Sequence, residues 1–356
     1  MRRMPRVLVL TASYGSGHNE AARSLATALQ ARGAEVHVVD HFRTLVHPVF
    51  ERVSRAAYYA LLRYAQPVWG LAYALGDRMA SDSPLTFGMS RVGTEGLARL
   101  LGTLAPDAVV SVHATPAVAM ATLAAEGRRP PPHTTVITDF VAHSQWIARD
   151  IERYCVAAEE VGHELIARGI PRERVVVTGV PVRAVFEAPA DPLAVRAALG
   201  LSARVPVVLA MAGSHGALGR LPDVTGTLLR ARHPVQGVVV AGRDEALAAD
   251  LRRRAAGTPV RILGLVEDVR SLMAAADLLV TKAGGMTLAE AMAAELPLLL
   301  HGSLPGQERR NERFASRAGI ALVARSRAEL GRRLERMLAD PDLLEHLRKR
   351  IRQVRR

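Results

Sequence analysis

Residues 264–311 read GLVEDVRSLMAAADLLVTKAGGMTLAEAMAAELPLLLHGSLPGQERRN, and the rest of the chain is organised around them. An apolar run (Leu278, Leu279, Val280) ends in Thr281-Lys282-Ala283-Gly284-Gly285-Met286-Thr287. A segment of helical period carrying Glu290 follows, then a second apolar run from Leu296 to Leu300 and the polar loop Pro305-Gly306-Gln307-Glu308. Strand, glycine-rich turn and helix in that order present free backbone N–H groups and the positive end of a helix dipole at the strand's C-terminal edge, where a phosphate binds. Gly284, Gly285 and Thr287 are the expected phosphate contacts. Glu290 is expected on the first turn of that helix, within reach of a ribose. The second loop adds an amide, a carboxylate and a basic pair, Arg309 and Arg310. Diphosphate, ribose and sugar hydroxyls together make a nucleotide-sugar site.

At 356 residues the chain is long for one core, so two domains are expected. Hydrophobic content of 49% with 23% charged residues is that of a globular protein. A lone cysteine, Cys155, excludes an internal disulfide and fits a reducing compartment. No signal-peptide pattern is read at the N-terminus, and no apolar run approaches the roughly 20 residues a span needs. The net charge of +13 is almost all arginine, the lysines being Lys282 and Lys349. Aromatics are too few for base stacking and no nucleic-acid motif is present, so an anionic bilayer is the expected partner rather than nucleic acid.

Working outward, Val7 to Ala12 is an apolar run ending in Ser13-Tyr14-Gly15-Ser16-Gly17-His18. A helical stretch, the stop at Gly33 and a second strand to Asp40 follow, a βαβ opening of the doubly wound kind. A dinucleotide-binding dehydrogenase, with Asp40 on the ribose, is the alternative. Against it, Glu20 stands where the third glycine of G-x-G-x-x-G belongs, and a second glycine-loop domain follows. His18 is either a cap of the helix that begins there or a base for a hydroxyl nucleophile, which imidazole can deprotonate near neutral pH.

Residues 42–87 hold eight of the fourteen aromatics (Phe42, Phe50, Tyr58, Tyr59, Tyr64, Trp69, Tyr73, Phe87), interleaved with Arg43, Arg52, Arg55, Arg63 and Arg78. That pattern reads as two amphipathic helices, one face on the sheet and the other in a bilayer interface, with a break near Pro67. Strands ending at His113 and at Thr138-Asp139-Phe140 bring His113, Asp139 and His143 to the same sheet edge. There they are expected to shape an acceptor site or orient His18, with Trp146 as the exposed aromatic. A metal among them is not expected, since no tight ligand pair is present. The second half repeats the grammar from Val205, with Gly213 and Ser214 expected as backbone contacts to phosphate. Asp340-Pro341-Asp342, the sole D-x-D, reads as ordinary helix-start chemistry.

Taken together, GSGHNEAARSLATAL, PDAVVSVHATPA, TDFVAHSQW, VTGVPVRAVF and the stretch quoted above resemble, in order and spacing, the monogalactosyldiacylglycerol synthase and processive diacylglycerol glucosyltransferase group of family 28 glycosyltransferases, over nearly the whole chain. The resemblance implies an α/β GT-B fold, two Rossmann-like doubly wound domains facing across a cleft. The first, residues 1–185, would bind acceptor and membrane and be joined by a terminal helix at about 340–356. The second, 203–339, would bind the donor. It implies His18 as catalytic base with Asp139 in support, and Gly17, His113, His143, Trp146, Tyr58, Tyr59 and Trp69 on the acceptor and membrane side. On the donor side it implies Val266 near the uracil, Lys282 at the diphosphate, Glu290 on the ribose, and Gln307, Glu308 and Asn311 on sugar or phosphate. The implied reaction is metal-free, inverting transfer of glucose or galactose from a UDP-sugar to diacylglycerol, without cofactor, by a cytoplasmic protein peripheral on the inner face of the cell membrane. The rivals are a UDP-GlcNAc transferase acting on a polyprenyl diphosphate, and a UDP-sugar or membrane sensor without turnover.

Overall fold

The computed structural model describes residues 3–78, 92–148, 150–213 and 220–356, and of Ser16 the backbone alone; Phe87 and Ser214 lie outside the described residues. The chain divides into two compact units. The first is Met1–Ala184 with Pro305–Gln307 and Arg356, and the second is Val185–Leu304 with Glu308–Arg355.

The first unit runs β1 (Arg6–Thr11), α1 (Ser16–Gln30), β2 (Glu35–Asp40), α2 (His41–Leu45), α3 (Pro48–Tyr64), α4 (Gln66–Arg78), α5 (Thr94–Leu104), β3 (Ala108–Ser111), α6 (Ala114–Ala125), β4 (His133–Val136), β5 (Arg153–Val156), α7 (Glu159–Ala167) and β6 (Val175–Val177). Its strands form one parallel sheet in the order β2-β1-β3-β4-β5-β6. The period-2 rule is visible in β1. Leu8 and Leu10 pack with Leu97, Met120 and Leu123 on one face, while Val7 and Val9 pack with Ala22 and Val112 on the other. Burial on both faces explains why the strand reads as an unbroken apolar run. Where the sequence suggests two helices after residue 42, three are described: the short α2 starts on an Asp40 cap, and the break between α3 and α4 falls at Ala65, just before Pro67.

The second unit runs α8 (Pro192–Ala198), β7 (Val207–Met211), α9 (Leu221–Leu228), β8 (Gln236–Val240), α10 (Glu245–Ala255), β9 (Val260–Leu263), α11 (Val269–Ala275), β10 (Leu278–Thr281), α12 (Gly285–Ala293), β11 (Leu298–His301), α13 (Gln307–Arg317), β12 (Ala321–Ala324), α14 (Arg327–Ala339) and α15 (Pro341–Val354). Its sheet is again all parallel, in the order β12-β11-β10-β7-β8-β9. Asp340 caps α15 by accepting from the Leu343 N–H at 2.9 Å, as the Asp-Pro pair suggests. The terminal helix differs from expectation. Leu347 of α15 is buried in the second unit's core beside Leu334 and Met337, and only Arg356 groups with the first unit. The apolar stripe of an amphipathic helix follows the nearest apolar surface, here α14 and its sheet.

In each sheet the strand order reverses once, between β1 and β3 in the first and between β7 and β10 in the second. Ligands of open parallel sheets bind outside the carboxyl ends of strands at such points.

Candidate active site

At the first switch point, the loop Ser13–Gly15 leads from β1 into α1, with His18 in its first turn. Three polar contacts frame that turn. Thr11 Oγ1 donates to the side-chain Oδ1 of Asn19 at 2.9 Å, Asn19 Nδ2 donates to Ser13 Oγ at 3.0 Å, and Ser13 donates to Asp40. Asp40 also accepts from the N–H groups of Phe42 and Arg43, so its oxygens are used by the scaffold, which removes the dehydrogenase reading of this residue as a ribose acid.

His18 does not cap its helix. Its Nδ1 lies 2.9 Å from the carbonyl oxygen of Val112, just past β3, and 2.9 Å from Oγ1 of Thr138, just past β4. A carbonyl can only accept, so Nδ1 carries the proton and the neutral ring keeps its lone pair on Nε2. That is the tautomer a general base needs. Burial lowers the His18 pKa from the usual histidine value, opposed by the negative charge of Asp139 and by the Val112 carbonyl; burial prevails. The support expected from Asp139 is therefore electrostatic, while the Nδ1 partners are Val112 and Thr138. Thr138 is a site residue the sequence reading quoted but gave no role; its place at a strand end beside Asp139 was the available signal.

His113 packs edge-on against His18, centroids 4.7 Å apart, and Trp146 lies 6.3 Å from His18. His113 Nδ1 accepts from the Thr115 N–H at 3.1 Å as the cap of α6. Burial and the neighbouring His18 and His41 hold its pKa well below the usual value, so the pair stays uncharged at neutral pH. His143 is scaffold: buried, its Nδ1 accepts from Gln145 N–H, and Nε2–H donates to the Tyr73 carbonyl of α4 at 3.1 Å. Trp146, expected exposed, is 5% exposed, because the turn at 144–146 places its ring against the two histidines. Tyr58, Tyr59, Trp69 and Tyr73 are half-buried in one chain of rings, Tyr58 lying 5.4 Å from Tyr59 and 5.2 Å from Trp69, and Trp69 6.3 Å from Tyr73. Gly17 lies in the first turn of α1, directly before His18.

At the second switch point, the loops after β7 and β10 hold Gly213 and Lys282–Gly284. Gly213 has φ +71°, a backbone conformation that favours glycine, and among the described residues a Cβ there would meet Lys282 Cε at 3.9 Å. Gly284 is the cap of α12 and brings no side chain to the first-turn N–H groups of Gly285, Met286 and Thr287. An ordinary residue would place a Cβ beside Thr287. The loop is held from below: Asn311 Nδ2, fully buried, donates to the Ala283 carbonyl at 3.1 Å, and the Ala283 N–H donates to Ser303 at 3.3 Å. Asn311, expected on sugar or phosphate, here supports the loop from its buried side, and Ser303 is a support the sequence reading missed.

Lys282 donates to Glu308, whose other oxygen accepts the Leu304 N–H at 2.9 Å; the two side chains are 17% and 11% exposed. Glu290 lies in the second turn of α12, not the first, because the helix starts directly at Gly285; its side chain is buried. Val266 is half-buried in the loop after β9, beside the exposed Leu265, and Gln307 opens α13. Among the described residues, no group of three histidine, cysteine or acidic side chains is placed to hold a metal ion. No described helix is long and apolar enough to cross a membrane.

Residues 18–182 match the monogalactosyldiacylglycerol (MGDG) synthase family, and residues 220–354 match glycosyl transferases group 1. The processive diacylglycerol beta-glucosyltransferase of Bacillus cereus is 30% identical over 99% of this chain and 91% of its own, and that of Bacillus cytotoxicus 31% over 96% and 87%. The chain belongs to this glycosyltransferase family. Among solved structures, MurG of Acinetobacter baumannii has a TM-score of 0.63 at 18% identity over 98% of this chain and 95% of its own. LpCGTa in complex with UDP gives 0.64 at 15% over 99% and 94%. These likenesses carry the fold, GT-B, and no more. The protein is a UDP-sugar-dependent glycosyltransferase of the glycolipid-synthase kind.

Proposed function

We propose that the enzyme moves a hexose, glucose or galactose, from a UDP-sugar to diacylglycerol with inversion. His18 Nε2 takes the proton of the acceptor hydroxyl, the freed oxygen attacks the anomeric carbon, and the bond to UDP breaks with UDP as leaving group. An α-linked donor gives a β-glycoside. Charge developing on UDP is met by the first-turn N–H groups of α12, its dipole and the Lys282 ammonium. Gln307 and Glu308 are assigned to the sugar, Glu290 to the ribose and the Val266 loop to the uracil. No metal or cofactor enters the reaction as proposed.

The observation that carries this reading is the 2.9 Å approach of His18 Nδ1 to the Val112 carbonyl at the first sheet's switch point, from which the tautomer with Nε2 as the basic nitrogen is assigned. The diacylglycerol in the names of the relatives supplies the lipid acceptor, and the likeness to solved structures carries the fold alone.

A membrane surface fits the same unit. Val53 is 65% exposed and Tyr64 78%, on one side of α3, while Val68 (57%), Leu71 (62%) and Leu75 (51%) repeat at i, i+3, i+7 along α4. An apolar stripe edged by Arg52 and Arg63, on a chain of charge +13, suits the interface of an anionic bilayer. The inner face of the cell membrane is the proposed location.

UDP release from UDP-glucose and UDP-galactose, measured with and without diacylglycerol vesicles, tests the proposal, and product mass identifies the sugar added. Lipid-dependent release from either donor is expected. Release stimulated by a polyprenyl diphosphate acceptor instead, or by no lipid at all, would overturn it.

A further inference from the structure

Among the described residues, two helices carry most of the exposed large apolar side chains of the first unit, and they are tied down differently. The end of α4 is bound to the 143–146 turn through Tyr73, Gly76 and Asp77, with Ser144 N–H to Asp77 at 2.8 Å, Ser144 Oγ to the Gly76 carbonyl at 2.8 Å and Arg168 to Asp77 at 3.0 Å. On α3, a polar link runs instead to the loop that carries His18. Ser54 Oγ lies 2.6 Å from the Phe50 carbonyl and 3.2 Å from that of Glu51, both of which can only accept. The serine proton is therefore committed within the helix, and the Tyr14 hydroxyl must be the donor to Ser54. The Tyr14 ring lies 4.4 Å from Phe42 and 5.4 Å from Tyr58 of α3. Phe50, whose backbone carbonyl accepts from Ser54, and Val53 are themselves 47% and 65% exposed, so the Tyr14 anchor sits one residue from the outward apolar face. At the other end Tyr14 is flanked by Ser13, bonded to Asp40, and by Gly15, the residue that caps α1 three positions before His18.

We propose that Tyr14 is a positioning residue that couples the seating of α3 on a lipid surface to the placement of the His18 turn, so that the base is best aligned when the apolar face of α3 is occupied. The inference rests on the reading of His18 as base and of α3 as lipid-facing. Neither Tyr14 nor Ser54 touches the reacting atoms; they act through the loop.

The test compares two presentations of one acceptor chemistry: dioleoylglycerol in phosphatidylglycerol vesicles, and short-chain dihexanoylglycerol dispersed as monomers. Turnover and donor KM are measured for the full-length protein, Tyr14→Phe, Ser54→Ala and the double variant. Tyr14→Phe keeps the ring and removes the donor proton. The expected result is a vesicle-to-monomer turnover ratio lowered about two- to tenfold, the range one neutral hydrogen bond supports. Donor KM and monomer turnover stay unchanged, Ser54→Ala gives the same loss, and the double variant loses no more than either single. Equal loss on both presentations would make Tyr14 merely structural, and an unchanged ratio would remove the coupling; either overturns the inference while leaving the enzymatic reading intact. Absence of lipid-dependent turnover in the unaltered protein would instead defeat the enzymatic reading, and this inference with it.

Discussion

The two switch points solve opposite electrostatic problems with the same strand arrangement. Around β1 and β3 the groups in contact with His18 are neutral, a carbonyl, a threonine hydroxyl, a second imidazole and an indole, and the one charge that acts on it, that of Asp139, is outweighed by burial. Around β7 and β10 they are ionic and backbone-derived: Lys282 on Glu308, with the open start of α12 held up by Asn311 and Ser303. A base must keep a lone pair, so it sits where burial disfavours the imidazolium. A diphosphate brings negative charge, so it needs N–H groups and an ammonium that are already oriented. What distinguishes the halves is thus which side chains the shared topology delivers to its carboxyl edge.

The contrast predicts different failures on the two sides. The largest effect is expected for His18→Ala, which should lower turnover by roughly 10² to 10⁴, the usual worth of a general base, without changing the fold as read by circular dichroism. Lys282→Ala should cost about 10² to 10³ in turnover, and it also leaves Glu308 buried without its cation, a loss of roughly 3–5 kcal/mol in stability. The double variant Lys282→Met with Glu308→Gln should recover most of that stability in a denaturant melt but none of the turnover. A double variant that regained activity would show the pair to be scaffold only.

Asp139→Asn sharpens the first half of the comparison. The Asp139 charge raises the His18 pKa against burial, so its removal lowers that pKa further. The acid limb of the kcat/KM profile should move to lower pH, and the plateau should fall about tenfold as the base weakens. A limb moving to higher pH would contradict the assignment.

The smallest effect concerns His133, whose pKa burial lowers to about 4 while Nε2 bonds Ser111 at 2.8 Å. Its folded pKa lies below the unfolded value near 6.5, so the unfolded chain binds more protons between those limits and stability falls as pH drops through them. The stability lost from this residue by pH 4 is about 3 kcal/mol, and His133→Gln should flatten the decline in melting temperature between pH 7 and pH 5.

Much of this was legible in the residues. Apolar runs ending in Ser-Tyr-Gly-Ser-Gly-His and Thr-Lys-Ala-Gly-Gly give strand, turn and helix, because a strand buried on both faces has no other way to be written. Both His18 and Lys282 stand out as chemistry at strand ends. The roles of their neighbours did not follow, since they depend on which helix begins where. His113 and His143 are caps whose ring nitrogens the backbone takes, Asn311 turns inward to a carbonyl, and Glu290 falls a turn later because α12 starts at its glycine. Trp146 meets the commoner, buried fate of a tryptophan, and nothing in TDFVAHSQW tells that the chain turns it onto two histidines. The terminal helix, charged along one side, gave no sign of which core its Leu347 would join.

The division of labour between the two switch points is tested most directly by calorimetric titration of UDP into His18→Ala and Lys282→Ala. The account predicts an unaltered UDP affinity for the first, whose turnover is nevertheless lost, and a weakened affinity for the second. Weakened binding in His18→Ala with unaltered binding in Lys282→Ala would contradict it.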